Sequence, residues 1–160
     1  MLDDTSSDVL RYAAVQGRLF NFEVVREAAA LDEEKLADVL ENLENMNVVK
    51  RDEKNEDMYE FNHLVMREFI YEGMSPQRRR ILHRKVAGAL EKVGGGEYSI
   101  AHHYSQTKDY EKILKYCERA GDMARDHFAP VDAAQYYRHA VMAAEKTNAD
   151  VEIRSALYSK

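Results

Sequence analysis

The sequence predicts a mainly α protein in two parts: three helices closed by a β-hairpin, then a series of antiparallel helices with a repeating pattern. Three observations carry this. Apolar residues recur at helical spacing over most of the chain. Two short extended runs, Val48-Val49-Lys50-Arg51 and Met58-Tyr59-Glu60-Phe61, bracket a polar link at residues 52–57. Toward the C-terminus the same three-residue steps come twice, as Leu114, Cys117 and Ala120 and then as Ala134, Tyr137 and Ala140.

In the first part, Ser6-Ser7 can cap a helix carrying Val9, Leu10, Ala13 and Ala14, and Gly17 can stop it. Phe20 and Phe22 flank Asn21 in the period-2 pattern of a short extended segment. It leads into a second helix with Val24, Val25, Ala28 and Ala29. Asp32 caps a third, whose stripe is Leu36, Val39, Leu40, Leu43 and Met46 and which Asn47 can close in a left-handed conformation. Three helices and then a hairpin is the winged helix-turn-helix order, with the hairpin as the wing, and it is assigned to residues 1–75.

A short helix at 64–71 is followed by the break Gly73-Met74-Ser75-Pro76, where Ser75 caps a new helix and Pro76 takes its first position. Ile81 and Leu82 are left for the core, with Val86, Ala89, Leu90 and Val93, and Gly94-Gly95-Gly96 ends the helix in a flexible joint. Ile100, Ala101 and Tyr104 mark the next helix; Lys108-Asp109-Tyr110 turns into another, with Ile113, Leu114, Cys117 and Ala120. Pro130 starts the following one. Small residues at such steps let paired helices approach, with aromatics filling the gap, so residues 76–160 read as tetratricopeptide (TPR)-like antiparallel repeats. Residues 151–160 are helix-compatible, without an evident capping helix; repeat arrays need caps, so a longer array is expected.

Composition narrows the function. The 160 residues are 45% hydrophobic, enough for a core, yet no stretch approaches the roughly 20 apolar residues of a membrane span. Met1-Leu2-Asp3-Asp4-Thr5 lacks a basic-then-apolar signal pattern, and Cys117 is the only cysteine, which makes a cytoplasmic location the default. Residues 1–75 hold 18 acidic and 8 basic side chains, a balance of −10; residues 76–160 hold 11 and 15, a balance of +4. The third helix offers Asp32, Glu33, Glu34, Asp38, Glu41 and Glu44 against Lys35 alone, a surface that repels a duplex. DNA binding through it is not expected.

With these residues in view, the chain resembles the segment that follows the nucleotide-binding domain in signal-transduction ATPases with numerous domains, the class of LuxR/MalT-type regulators, related archaeal ATPases and, more distantly, NB-ARC proteins. A hydrophobic–Gly-Arg-x-Phe pattern of that class is matched by Val15-Gln16-Gly17-Arg18-Leu19-Phe20, and its Leu-Asp-Glu-Glu-x-Leu helix by Leu31-Asp32-Glu33-Glu34-Lys35-Leu36. Tyr-x-Phe-x-His and a following Arg-Glu are matched by residues 59–63 and by Arg67-Glu68. Ser-Pro-x-x-Arg-Arg-x-Leu-His is matched by residues 75–83, Ala-x-His-Tyr by 101–104 and Asp-Tyr-Glu-Lys by 109–112. The resemblance implies a winged helix that packs on an ATPase core and couples nucleotide state to opening, with repeats that bind partners or inducers. ATP or ADP would belong to the full-length protein, and no cofactor is expected in this chain. His63 matches the histidine of the Met-His-Asp motif of NB-ARC proteins, which contacts the β-phosphate of ADP, although Asn62 and Leu64 stand where that motif has Met and Asp. From the residues alone His63 is either such a donor or a helix-capping or packed histidine.

Among other constellations, Arg78-Arg79-Arg80 with Arg84 and Lys85 forms the most basic stretch, a face for docking on the acidic half, on the absent core, or on nucleic acid. Tyr104 and Tyr136 are core or groove residues, and an exposed position for either would indicate a peptide-binding groove. His102 and His103 point about 100° apart on a helix, and no Cys/His spacing suggests a metal. No phosphate loop, Gly-x-Ser-x-Gly or His-Glu-x-x-His occurs, so no catalysis is expected. The expected function is a regulatory, protein-interaction segment of a signal-transduction ATPase or ATP-dependent transcriptional regulator. The alternative is a stand-alone winged-helix DNA-binding regulator that uses the wing and the helix at 78–85.

Overall fold

Asp3, not Ser6-Ser7, starts the first helix: its Oδ1 accepts the N–H of Ser6 at 2.7 Å, and this bond holds the Asp3 carboxyl below its ordinary pKa. A carboxylate also suits the positive end of a helix better than a hydroxyl does. The computed structural model describes residues 2–149 and 151–160; Met1, which opens the segment read as lacking a signal pattern, lies outside them. Helix α1 (Asp4–Gln16) ends at Gly17, whose φ of 133° a side chain would resist. Strand β1 (Leu19–Asn21) feeds α2 (Phe22–Ala29), capped by the Asn21 side chain on the N–H of Val24. Helix α3 (Glu33–Asn45) is capped by Asp32, as its sequence predicts, and Asn47 behind it is left-handed at φ 59°.

Strands β2 (Val49–Arg51) and β3 (Met58–Phe61) form the expected hairpin, and β1 adds to its other edge in a three-stranded antiparallel sheet of order β1-β3-β2. The register pairs Phe20 with Tyr59 and Val49 with Phe61. Phe20 accordingly packs against both β3 aromatics, with ring centroids 5.7 Å from Tyr59 and 5.6 Å from Phe61. These rings join Val9, Val25, Leu36, Leu40 and Leu43 in the core. Met46, assigned to the same stripe, is 53% exposed, because α3 stops one residue before it.

Helices α4 (Leu64–Glu72) and α5 (Pro76–Val93) complete this unit. Ser75 caps α5 through the N–H of Arg78, and Leu82, Val86 and Ala89 enter the first core. The break at Ser75-Pro76 is therefore an internal turn. The chain divides into Met1–Val93 and Gly94–Lys160, where the sequence reading set 1–75 and 76–160. The triple glycine is the joint, and α5 is bound to the first unit by its apolar face and by the Lys92–Glu27 ion pair. Ile81 does not enter the core; it sits 37% exposed on the outer side of α5.

The second unit holds α6 (Glu97–Ser105), α7 (Tyr110–Asp126), α8 (Pro130–Lys146) and α9 (Val151–Tyr158), packed α6 on α7, α7 on α8 and α8 on α9. Asp109 caps α7 and Pro130 opens α8. The matched steps in α7 and α8 do not bury equivalent residues: Cys117 and Ala120 are buried in α7, but Ala134 is exposed and its neighbour Ala133 is buried. Among the described residues the molecule is thus mainly α with one small antiparallel sheet. Among the described residues no helix is long and apolar enough to cross a membrane.

Candidate functional site

Where β3 ends, Asn62 donates to Asn47 Oδ1 at 2.9 Å and fixes the exit toward α4. His63 holds the N-cap position of α4 with extended backbone, yet its side chain caps nothing, and the residue is exposed. Its imidazole lies at the positive end of a helix with no hydrogen bond to spend on the protein. Neither capping nor packing accounts for it.

The rest of α4 has no buried residue, although Leu64, Val65, Met66, Phe69 and Ile70 are all apolar. Met66 and Ile70 lean on the core, whereas Phe69 is 79% and Val65 75% exposed. Between α1 and α4 runs an apolar groove of about 390 Å³, lined by Leu2, Leu10, Val48, Met66, Phe69 and Met74 among others. Its one cation, Arg11, is neutralised by Asp8 at 2.8 Å, and the exposed carboxylates Glu68 and Glu72 flank Phe69 on α4. Sequence reasoning missed this face. The signal was there: five apolar residues distributed around a nine-residue helix cannot all reach one core.

The basic run of α5 separates into different roles. Arg79 is structural: its Nε donates to the Tyr71 carbonyl and one Nη to that of Glu72, both at 2.9 Å, closing the C-terminal end of α4. Its guanidinium lies 4.8 Å from the Tyr71 ring centre, and that of Arg67, which donates to the Ala14 carbonyl, lies 4.7 Å from it. The Tyr71 hydroxyl meets Nε2 of buried His83 at 2.9 Å. Arg79 is therefore withdrawn from the docking set, Arg80 is half-buried, and Arg78, Arg84 and Lys85 are exposed.

In the second unit Tyr104 is 4% exposed and stacked on Tyr116 at 5.6 Å, so it is a core residue and not part of a groove. Tyr136 is half-buried, stacked on Tyr98 at 5.8 Å, with burial pushing its hydroxyl pKa up. Burial likewise pushes the Cys117 thiol up to about 12, which makes it a poor nucleophile. Among the described residues no group of three or more His, Cys, Asp or Glu could hold a metal ion.

The surface of α3 and the hairpin carries little unpaired positive charge. Glu33, Glu34, Asp38 and Glu41 are exposed, Lys50 pairs with Glu60 at 2.8 Å, and Arg51 pairs with Glu44 at 3.1 Å. No family model, curated protein or solved structure matches this chain.

Proposed function

We propose that this chain is a non-catalytic regulatory and protein-interaction segment of a cytoplasmic signal-transduction ATPase or ATP-dependent regulator, coupling nucleotide state to partner binding. In this reading the first unit is a winged helix and the second a TPR-like stack. The order α1-α2-α3 followed by the β2–β3 hairpin supports the first assignment. The close packing of α7 and α8 around small residues and Tyr137 supports the second.

The observation that carries the reading is α4. One short helix begins at an exposed, uncommitted imidazole and continues as an exposed apolar face flanked by Glu68 and Glu72. An ATPase core outside this chain would supply ATP or ADP, whose phosphate oxygens accept hydrogen bonds. On α4, His63 fits such a phosphate, because its ring makes no cap hydrogen bond and the helix end adds positive potential. The apolar face of α4, with its acidic flank, suits a core surface that is apolar at its centre and basic at its rim. Nucleotide-dependent contact at His63 and docking along Val65 and Phe69 would then rise and fall together.

The test is made in the longer, ATPase-containing protein. His63→Ala speeds ADP release on the order of 10-fold or more, the loss of one hydrogen bond to a charged group. Phe69→Asp, on a residue already exposed, leaves folding intact and increases protease access to the core. Unchanged ADP release in the first variant removes the phosphate contact; unchanged protection in the second removes the docking face.

A further inference from the structure

A second concave site lies in the first unit, formed by α1, the turn between α2 and α3, and α5. Its volume is about 310 Å³, and Thr5, Arg11, Tyr12, Arg78, Leu82 and Lys85 are among its lining residues. Helical spacing explains the convergence. Arg78, Leu82 and Lys85 fall on one stripe of α5 at steps of four and three, while Arg84 points elsewhere. On α1 the matching stripe is Thr5, Asp8 and Tyr12, with Arg11 beside it.

Two features distinguish the site from a solvated basic surface. The first is charge: Arg11 and Asp8 line it as an ion pair at 2.8 Å, and Arg78 and Lys85 add two cations beyond that pair. Arg78 and Lys85 have no ion-pair partner among the described residues. The second is Tyr12. Its ring is packed, it lines the cavity, and its hydroxyl has no hydrogen-bond partner among the described residues. The ring is packed while the hydroxyl stays open to the cavity, so it can donate to a group bound there.

We propose that this cavity binds the phosphate group of a small molecule, with Arg78 and Lys85 taking its charge and the Tyr12 hydroxyl donating to one oxygen. A phosphate carries roughly −1.5 to −2 at neutral pH, which matches the net charge of the lining. Arginine offers a planar fork to phosphate oxygens and lysine a mobile point charge. The volume is at the small end for ligand clefts, of the order of 300 Å³, and suits a small organic phosphate. Ala29, Leu31 and Leu82 supply an apolar wall for an organic portion. The site is separate from α4 and does not depend on the reading given to His63.

The experiment is a titration of the 160-residue chain followed by amide chemical shifts, using inorganic phosphate, glycerol 3-phosphate and, at matched ionic strength, chloride. Saturable shifts confined to residues around 5–12 and 78–85 are expected with the phosphates and not with chloride. Tighter binding of glycerol 3-phosphate identifies an organic phosphate as the ligand class, and equal or tighter binding of inorganic phosphate identifies the free ion. Arg78→Gln with Lys85→Gln weakens binding at least tenfold, and Tyr12→Phe weakens it severalfold without lowering the thermal midpoint. Arg84→Gln, a cation outside the cavity, leaves binding unchanged. Shifts scattered over the surface, reproduced by chloride, or weakened as much by Arg84→Gln as by the double variant show adventitious binding only and overturn the proposal.

Discussion

Gly121 of α7 lies directly against the Tyr137 ring of α8: a Cβ at position 121 would stand 2.6 Å from ring Cε1 and 2.7 Å from Cδ1. The ring has little room to retreat, because its hydroxyl donates to Asp122 Oδ1 at 2.6 Å. Two effects oppose each other in Gly121→Ala. Helix propensity favours alanine by about 1 kcal/mol, and forcing a methyl into a packed contact costs about 1–3 kcal/mol. The contact wins, and the variant loses about 1 kcal/mol or more in urea denaturation. Gly121→Ala combined with Tyr137→Leu, which removes the ring, is less destabilised than the two single effects summed. A stabilised Gly121→Ala would show that the two helices shift apart freely.

Arg79 and Arg84 look alike in sequence and differ in work. Arg79→Ala removes two hydrogen bonds to the last carbonyls of α4 and a guanidinium from the Tyr71 ring, and stability falls by about 1–2 kcal/mol. Lysine does not restore the paired geometry, so Arg79→Lys stays close to Arg79→Ala. Arg84→Ala, at an exposed position, changes stability by less than about 0.5 kcal/mol. Equal losses at 79 and 84 would contradict the distinction.

What could be read from the chain was local. Asp32 and Ser75 act on backbone groups three residues away, Pro76 sets the first position of its helix, and the polar link at 52–57 closes on its own flanking strands. What could not be read depends on partners distant in sequence. Nothing near Arg79 indicates that its guanidinium turns back to Tyr71, and nothing near Leu19 indicates that β1 pairs with β3. The same limit moved the unit boundary: Ser75-Pro76 reads as a stop, and only the burial of Leu82, Val86 and Ala89 in the first core shows that α5 belongs before the joint. In α8 the small residues Ala133 and Ala134 are adjacent, and the choice between them is made by how α7 lies against α8. The cavity beside α5 was half legible, since the basic run was visible while its meeting with Tyr12 and Arg11 was not.

Cys117 supplies a pH-dependent prediction. Burial raises its thiol to about 12, and the S–H lies 3.8 Å from the Ala101 carbonyl oxygen. The folded thiol is therefore neutral where an unfolded one, near 8.5, ionises. Its stabilising contribution is fully present below about pH 8.5 and is lost progressively as pH rises toward about 12. Two measurements follow. At pH 8 a thiol-reactive disulfide reagent labels the native protein slowly and the urea-unfolded protein at once, and urea stability falls above about pH 9 less steeply in Cys117→Ala than in the parent. Rapid native labelling would mean that the thiol is not enclosed.

Phe128 occupies a position that glycine would fill at lower cost. It follows α7 with φ at 56°, its N–H bonds the Arg125 carbonyl, and that of Ala129 bonds the Ala124 carbonyl at 2.8 Å, the paired bonds of a Schellman close. A side chain in this left-handed conformation costs about 1–2 kcal/mol. The ring recovers none of it through packing, since Phe128 is 92% exposed. Glycine relieves the strain but gains freedom in the unfolded chain, an opposing effect of about 0.4–1 kcal/mol. Strain relief is the larger, so Phe128→Gly raises stability by about 0.5–1 kcal/mol in urea denaturation. Phe128→Val, β-branched and worse in this conformation, lowers it. A destabilised Phe128→Gly would show that the ring makes contacts in the folded protein, and the exposed turn would have to be redrawn around them.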